Sequence, residues 1–371
     1  MGWTGLAELP LHRGHAPHWL FKRMVRLARI LMEALIDEHG SQMVLRRLAD
    51  PSWFQALSCV LGYDWHSSGT TTVTCAALKE AFSPEKHGIA IAGGKGRFSR
   101  EAPREILEIA GKFGFSEDLA KRLLYASRMT AKVDNSAIQC GYPLYHHTII
   151  ICEDGCWAVI QQGMNLVDKT ARRYHWLSNH VKSFVVEPHE AIVCDVVKSH
   201  VLDMTARESE DCRKASVDLV NDGPVRVRKY LNSILPRGQR TLCRWIGLED
   251  GCGRVVKCLF MPRRINWEAL KRAYEFKPRS YEELLGLRGV GPSTVRALAL
   301  ISELVFGEEP SWRDPVKFSF CVGGKDGVPF PIDKRVYDEI ISFMEKAVER
   351  VNPGSEVTPL VVKRLRGLNE G

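Results

Sequence analysis

SYEELLGLRGVGPSTVRALALISELVFG, residues 280–307, is the stretch that decides how the C-terminal part of this chain is read. Leu284, Leu285 and Leu287 close a short helix, Gly289-Val290-Gly291-Pro292 turns the chain, and Ser293 starts a second helix carrying Val295, Leu298 and Leu300. Lacking Cβ atoms, Gly289 and Gly291 are expected to take positive φ and to let the main chain approach a phosphate. The helix that follows offers unpaired N–H groups and the positive end of its dipole. Gly289, Val290, Gly291, Ser293 and Thr294 are the expected phosphate-contacting set, with Arg288 and Arg296 as counter-charge. Such a corner grips DNA or RNA by the backbone without reading sequence.

The segment leading into this corner is basic. The formal net charge is +8, yet between Gly223 and Arg279 there are 14 Lys and Arg against 4 Asp and Glu, so the remainder is slightly acidic. A field of one sign confined to one segment attracts polyanions.

Further outward, the expected fold class is α+β and mainly α. An N-terminal helical domain spans 1–130, a small central antiparallel sheet 131–197, and a C-terminal helical domain 198–371 holds the hairpin and a basic tail with Lys363, Arg364 and Arg366. From Pro17 to Glu38, Leu20, Met24, Leu27, Ile30, Leu31 and Leu35 recur at helical spacing. Helical patterns follow near 43–47, 52–61, 72–82, 103–113 and 117–128. The period then changes: Tyr145–Cys152 and Trp157–Gln162 flank Glu153-Asp154-Gly155, a hairpin signal. Further strands are expected at Ser183–Glu187 and Ala191–Asp195. Helices are expected at Asp203–Leu219, Pro224–Leu235, Asn266–Phe276 and, past the hairpin, about Lys334–Asn352.

Several classes are excluded at this level. No apolar run reaches the roughly 18 residues of a membrane span, and Thr148–Ile160 is cut by Glu153 and Asp154. Lys22, Arg23, Arg26 and Arg29 interrupt the first helix, so no signal-peptide core is read and a cytoplasmic location is expected. The 11 cysteines form no CxxC pair, which leaves no zinc or iron–sulfur motif, and the nearest pairs, Cys152/Cys156 and Cys252/Cys258, are assigned no metal.

RGVGPST resembles the helix-hairpin-helix of DNA repair proteins, and the wider pattern resembles its glycosylase version, in which an aspartate follows after about one helix. Asp314, in SWRDP, is the matching residue, and Ser293 stands where the Schiff-base lysine of that family would fall. The resemblance implies that Asp314 would stabilise an oxocarbenium-like sugar or activate water at a flipped base. Over nearly its whole length the chain resembles the archaeal and bacterial family catalogued as domain of unknown function 763. This rests on ELPLHRGHAPHWLFKRM at 8–24, DWHSSGTTT at 64–72, GGKGRFSR at 93–100, WAVIQQGMN at 157–165, ARRYHWLS at 171–178 and GGKDG at 323–327. That likeness implies a shared fold and nucleic-acid metabolism, and no mechanism.

Two glycine loops offer cations to a phosphate, Lys95 and Arg100 in the first and Lys325 in the second; neither is a nucleotide-binding P-loop. Ser67, Ser68, Thr70 and Thr71 around Gly69 mark a helix start able to cap itself or hold an anion. For catalysis the sheet region is the place to look. Alternation puts His146 and Thr148 on one face and Tyr145, His147 and Ile149 on the other. Asp134 before the hairpin, with Gln161-Gln162-Gly163 on its second strand, superficially resembles the restriction-endonuclease arrangement, but its lysine is missing. Phosphodiester hydrolysis commonly uses Mg²⁺ or Mn²⁺ on carboxylates. Asp134 and Glu187 are the expected ligands, and Gln162, His147 and His189 complete the expected catalytic set. Arg172 and Arg173 either pair phosphates or lock the sheet onto a helix. The expected function is binding of DNA, or RNA, in repair or recombination, with a divalent-metal nuclease first; a glycosylase using Asp314 and a non-enzymatic DNA-binding module are the alternatives.

Overall fold

In the computed structural model the residues described are 18–61, 69–167, 170–194, 196–234, 262 and 264–317. The expected helix at 334–352, Lys325, the basic tail, and 235–261 of the basic segment lie outside them. The N-terminal stripe folds as expected: α1 (His18–His39) buries Met24, Leu27, Leu31 and Leu35. After α2 (Ser41–Ala49), Asp50 caps α3 (Pro51–Val60), its carboxylate accepting from the amides of Ser52 at 2.8 Å and Trp53 at 3.0 Å. α4 (Gly69–Ala81) and the short α5 (Pro84–His87) follow.

Next comes a strand that the sequence was not expected to contain. β1 (Ile89–Lys95) takes in the first residues of the glycine loop, and only 96–100 turn away, as a 3-10 turn. Then come α6 (Ala102–Phe113) and α7 (Glu117–Lys132), which ends in a π-turn at Val133–Ala137. β2 (Ile138–Gln139), β3 (Leu144–Cys152), β4 (Trp157–Asn165), β5 (Thr170–Leu177), β6 (Ala191–Cys194) and β7 (Leu202–Asp203) complete the strands among the described residues. Residues 183–187 form no strand: 184–187 are bends. α8 (Glu210–Asp222) starts later than expected because β7 occupies the start of its predicted span. α9 (Pro224–Ile234), α10 (Trp267–Phe276), α11 (Tyr281–Gly286) and α12 (Pro292–Ile301) are the remaining helices among the described residues. No described helix is long and apolar enough to cross a membrane.

The architecture is α+β and mainly α. Five strands form one antiparallel sheet in the order β1-β3-β4-β5-β6, and β2 pairs with β7 separately. Both faces of the large sheet are buried. Ile89, Ile91, Ile150, Ala158, Ile160 and Leu177 pack with the helices of 18–81, whereas Ala92, Ile149, Val159, Tyr174, Trp176 and Ile192 pack with α6, α7 and the C-terminal helices. The sheet is therefore the middle layer between two helical ones, and alternation selects which core a side chain enters.

Candidate functional site

The turn at Glu153–Gly155 sets the register of β3 against β4 and places His147 opposite Gln161. Cross-strand partners share a face. His147 Nδ1 lies 3.0 Å from Gln161 Oε1, and Gln161 Nε2 donates to Asp134 Oδ2 at 2.5 Å. Asp134, on the π-turn after α7, also accepts from Trp176 Nε1 at 3.0 Å and faces His189 Nε2 at 2.5 Å. At the other end His147 Nε2 lies 2.8 Å from Ser127 Oγ. The network fixes the protons. A carboxylate only accepts, so the Gln161 amide nitrogen faces Asp134 and its oxygen faces His147; Nδ1 therefore carries the imidazole proton, and Nε2 accepts from the Ser127 hydroxyl. Burial pushes His147 down to about 4, partly offset by its bond to Gln161, so the ring is neutral at neutral pH. Burial raises the Asp134 carboxyl, against the opposing pull of His189 and Trp176.

This relay ends at open space. A cavity of about 630 Å³ is bordered by Ser127 and His147 and, further out, by Arg100, Lys121, Tyr125, Arg128 and Tyr145. Ser127 and His147 are buried, whereas Arg100, Lys121 and Arg128 are exposed, and Lys121 is held by Glu117 at 2.7 Å.

The hairpin lies against the same helix. Lys132, at the end of α7, donates to the carbonyls of Leu287 at 2.9 Å and Val290 at 2.6 Å. Asn266 Nδ2 donates to Gly289 O at 3.4 Å, and Arg272 Nη2 to Arg288 O at 3.2 Å. The hairpin carbonyls are thus turned into the fold. α12 has no side-chain cap, which leaves its first amides without an intrahelical partner. Burial pushes Lys132 down to about 8, helped by the nearby Arg128 guanidinium.

The two glycines differ from expectation and from each other. Gly289 has φ +91, and a Cβ there would meet Asn266 Nδ2 at 2.9 Å and Ala269 at 3.0 Å, so it is required by the fold. Gly291 does not take positive φ: it is extended, at φ −129 and ψ −170, and a Cβ would meet nothing within 4 Å. Val290 and Thr294 are buried and belong to the packing of the corner; Arg288 is exposed and Ser293 half-buried beside the hairpin. Arg296 sets its guanidinium 5.5 Å from the Trp312 ring centre.

The model of the DUF763 family, described as a protein of unknown function, matches residues 5–332. The chain belongs to that family. No curated protein and no solved structure matches it.

The remaining expected residues of this DUF763 chain are placed elsewhere. Gln162 is on the opposite face from Gln161 and bonds the Tyr145 hydroxyl, which reaches it because a bulge at Tyr145 interrupts the strand pairing. Glu187 is exposed, takes φ +42, and pairs with Arg207 at 2.8 Å. It is not brought to Asp134. With both Asp134 oxygens turned to N–H donors, these two carboxylates do not fit a shared divalent ion, and the described residues contain no group of three His, Cys, Asp or Glu side chains that could hold a metal.

Arg172 is fully buried and not on a phosphate-facing surface. Its guanidinium binds Asp314 two-pronged, at 2.9 and 2.7 Å, and Asp314 also accepts from the Lys198 amide at 2.7 Å. Both side chains are almost wholly removed from solvent. Arg173, also buried, reaches Gln55 at 3.1 Å and the Pro51 carbonyl at 3.4 Å, which locks the sheet onto α3. Lys95 and Arg100 are exposed, and Arg100 borders the cavity. Thr70 and Thr71 are buried in α4, where Thr71 faces Arg173. Ser127 had no place among the expected residues, and Gln161 was named only within Gln161-Gln162-Gly163, with Gln162 taken into the expected catalytic set. The parity of β3 together with the turn centred on Asp154 was the signal that pairs 147 with 161; nothing local marks Ser127.

Proposed function

We propose that this protein holds a nucleic acid, DNA in the first instance, by its sugar–phosphate backbone at the hairpin 287–294, and that it works in the cytoplasm in DNA repair or recombination. The observation that supports this best is Gly291. A Cβ at Gly291 would meet nothing within 4 Å, and the residue stands directly before the first turn of α12, where Pro292 has no N–H and the amides of Ser293 and Thr294 have no intrahelical partner. The carbonyls are already taken by Lys132, Asn266 and Arg272, which leaves the donors as the outward chemistry. Arg128, one turn before Lys132 on α7, is exposed and borders the cavity, so a cation stands between the hairpin and that opening.

The test is binding of labelled single-stranded and duplex oligonucleotides at several salt concentrations. Gly291→Val is expected to keep the melting temperature and weaken binding at least about tenfold, the scale of one lost phosphate contact. Arg288→Ala is expected to lower the salt slope by about one. Wild-type affinity in Gly291→Val overturns the placement. Incubating the same DNA with Mg²⁺, Mn²⁺ or chelator separates the enzymatic readings: chelator-sensitive cleavage supports a metal route despite the unfit ligand pair, and an unaltered strand supports a pure binder.

A further inference from the structure

We infer that Ser127 is the nucleophile of a phosphoester-cleaving site, with His147 as its general base and Gln161 and Asp134 as positioning residues. The inference goes beyond the hairpin reading and does not require it. Its basis is the conjunction of an ordered relay with a cavity. Ser127 Oγ, His147 Nε2 and Nδ1, Gln161 Oε1 and Nε2, and Asp134 Oδ2 follow one another at 2.8, 3.0 and 2.5 Å. That is a hydroxyl, a base in the accepting tautomer, and a third group that holds the tautomer, the arrangement by which a weak nucleophile is activated. A core hydrogen bond needs no access, but Ser127 and His147 border a cavity large enough for a nucleotide-sized ligand.

The rim selects the substrate class. Arg100 and Arg128 are exposed at this rim, Arg128 with its guanidinium 5.7 Å from the Tyr125 ring centre, and guanidinium forks match the non-bridging oxygens of a phosphate. Tyr125 and Tyr145 also line the cavity, which adds aromatic surface to its wall. In the step itself Ser127 Oγ bonds to phosphorus as the bond from phosphorus to the leaving oxygen breaks. The hydroxyl proton passes to His147 Nε2 and from there to the leaving alcohol. Water then bonds to phosphorus as the bond from phosphorus to Ser127 Oγ breaks; the water proton passes to His147 Nε2 and from there to Oγ, and the phosphate is released.

The test uses the full chain with p-nitrophenyl phosphate, bis(p-nitrophenyl) phosphate and a labelled oligonucleotide in chelator, and with a fluorophosphonate probe mapped by peptide mass spectrometry. Expected are labelling on Ser127, at least about a tenfold loss of labelling in His147→Gln and Gln161→Ala, and loss of turnover in Ser127→Ala at an unchanged melting temperature. Turnover of the aryl phosphates alone identifies a small phosphoester as the substrate, and turnover of the oligonucleotide identifies the nucleic-acid backbone. Turnover of the aryl phosphates and probe labelling read Ser127 without any nucleic acid at the hairpin, so failure of the hairpin reading and failure of this one give different results. A wild-type Ser127 that resists the probe, or turnover that survives Ser127→Ala, overturns the inference. Should Ser127→Ala fail to fold, the wild-type labelling decides alone.

Discussion

Arg172 and Asp314 show how far a single residue can depart from what its neighbours in sequence suggest. ARRYHW looks like a basic, solvent-facing run, yet Arg172 and Asp314 are almost wholly removed from solvent and satisfy one another. Removing one member strands the other charge, so Asp314→Asn or Arg172→Met is expected to destabilise the fold by about 3–5 kcal/mol, whereas replacing both with apolar residues costs far less. Urea denaturation of the three variants checks this; equal losses in single and double variants would contradict it. The relay residues were half legible. Parity separates His147 from His146, and the structure keeps that separation. Gln162 was chosen over Gln161 because no local feature distinguishes two adjacent glutamines, and only the strand pairing does.

At the scale of elements, β1 was hidden because its sequence, IAIAGGK, ends in glycines that suggest a loop. The physical need for them is specific. Gly93 takes φ +93, and a Cβ would lie 2.2 Å from the His147 carbonyl oxygen, so the edge strand closes on β3 only without a side chain there. Glu105 and Lys79 clamp the same residue, the carboxylate accepting from its amide at 2.7 Å and the ammonium donating to its carbonyl at 2.8 Å. Gly93→Ala is therefore expected to cost about 1–3 kcal/mol in thermal denaturation, the range for overpacking, and to lower Ser127 labelling through the displaced His147. Gly96→Ala, with nothing within 4 Å, is the control, although its φ of +61 adds a smaller strain of its own. β5 escaped notice for a different reason: its arginines and histidine are buried by pairing and packing, which composition does not reveal.

For the whole molecule, a sheet covered on both faces means that alternation carries no polar-versus-apolar signal, only a choice between two cores. The hairpin, the sheet's turn and most helices were legible from local pattern; the layering was not, because it depends on contacts between distant segments. The layering also buries histidines. Burial pushes His146 down to about 3 and His147 to about 4, and His175 falls well below its ordinary value. Below pH about 6.5 the unfolded chain takes up protons that the folded one refuses, so folding stability falls with pH, by roughly 1.4 kcal/mol per pH unit for each such ring. Asp134 and Asp203, whose carboxyls are raised by burial, oppose this at the acid end. Urea midpoints at pH 7, 6 and 5 are expected to decrease in that order, and a flat series would refute the neutral-ring assignment.

Helix α7 carries Ser127 and, five residues on, the lysine that braces the hairpin. Five residues advance about 7.5 Å along a helix axis, roughly two base steps of a duplex. A strand anchored at the corner would meet the hydroxyl at a constant offset whatever its bases, so any cut ends should fall at one spacing from the protected footprint. Such a protein would act as a ruler rather than a reader.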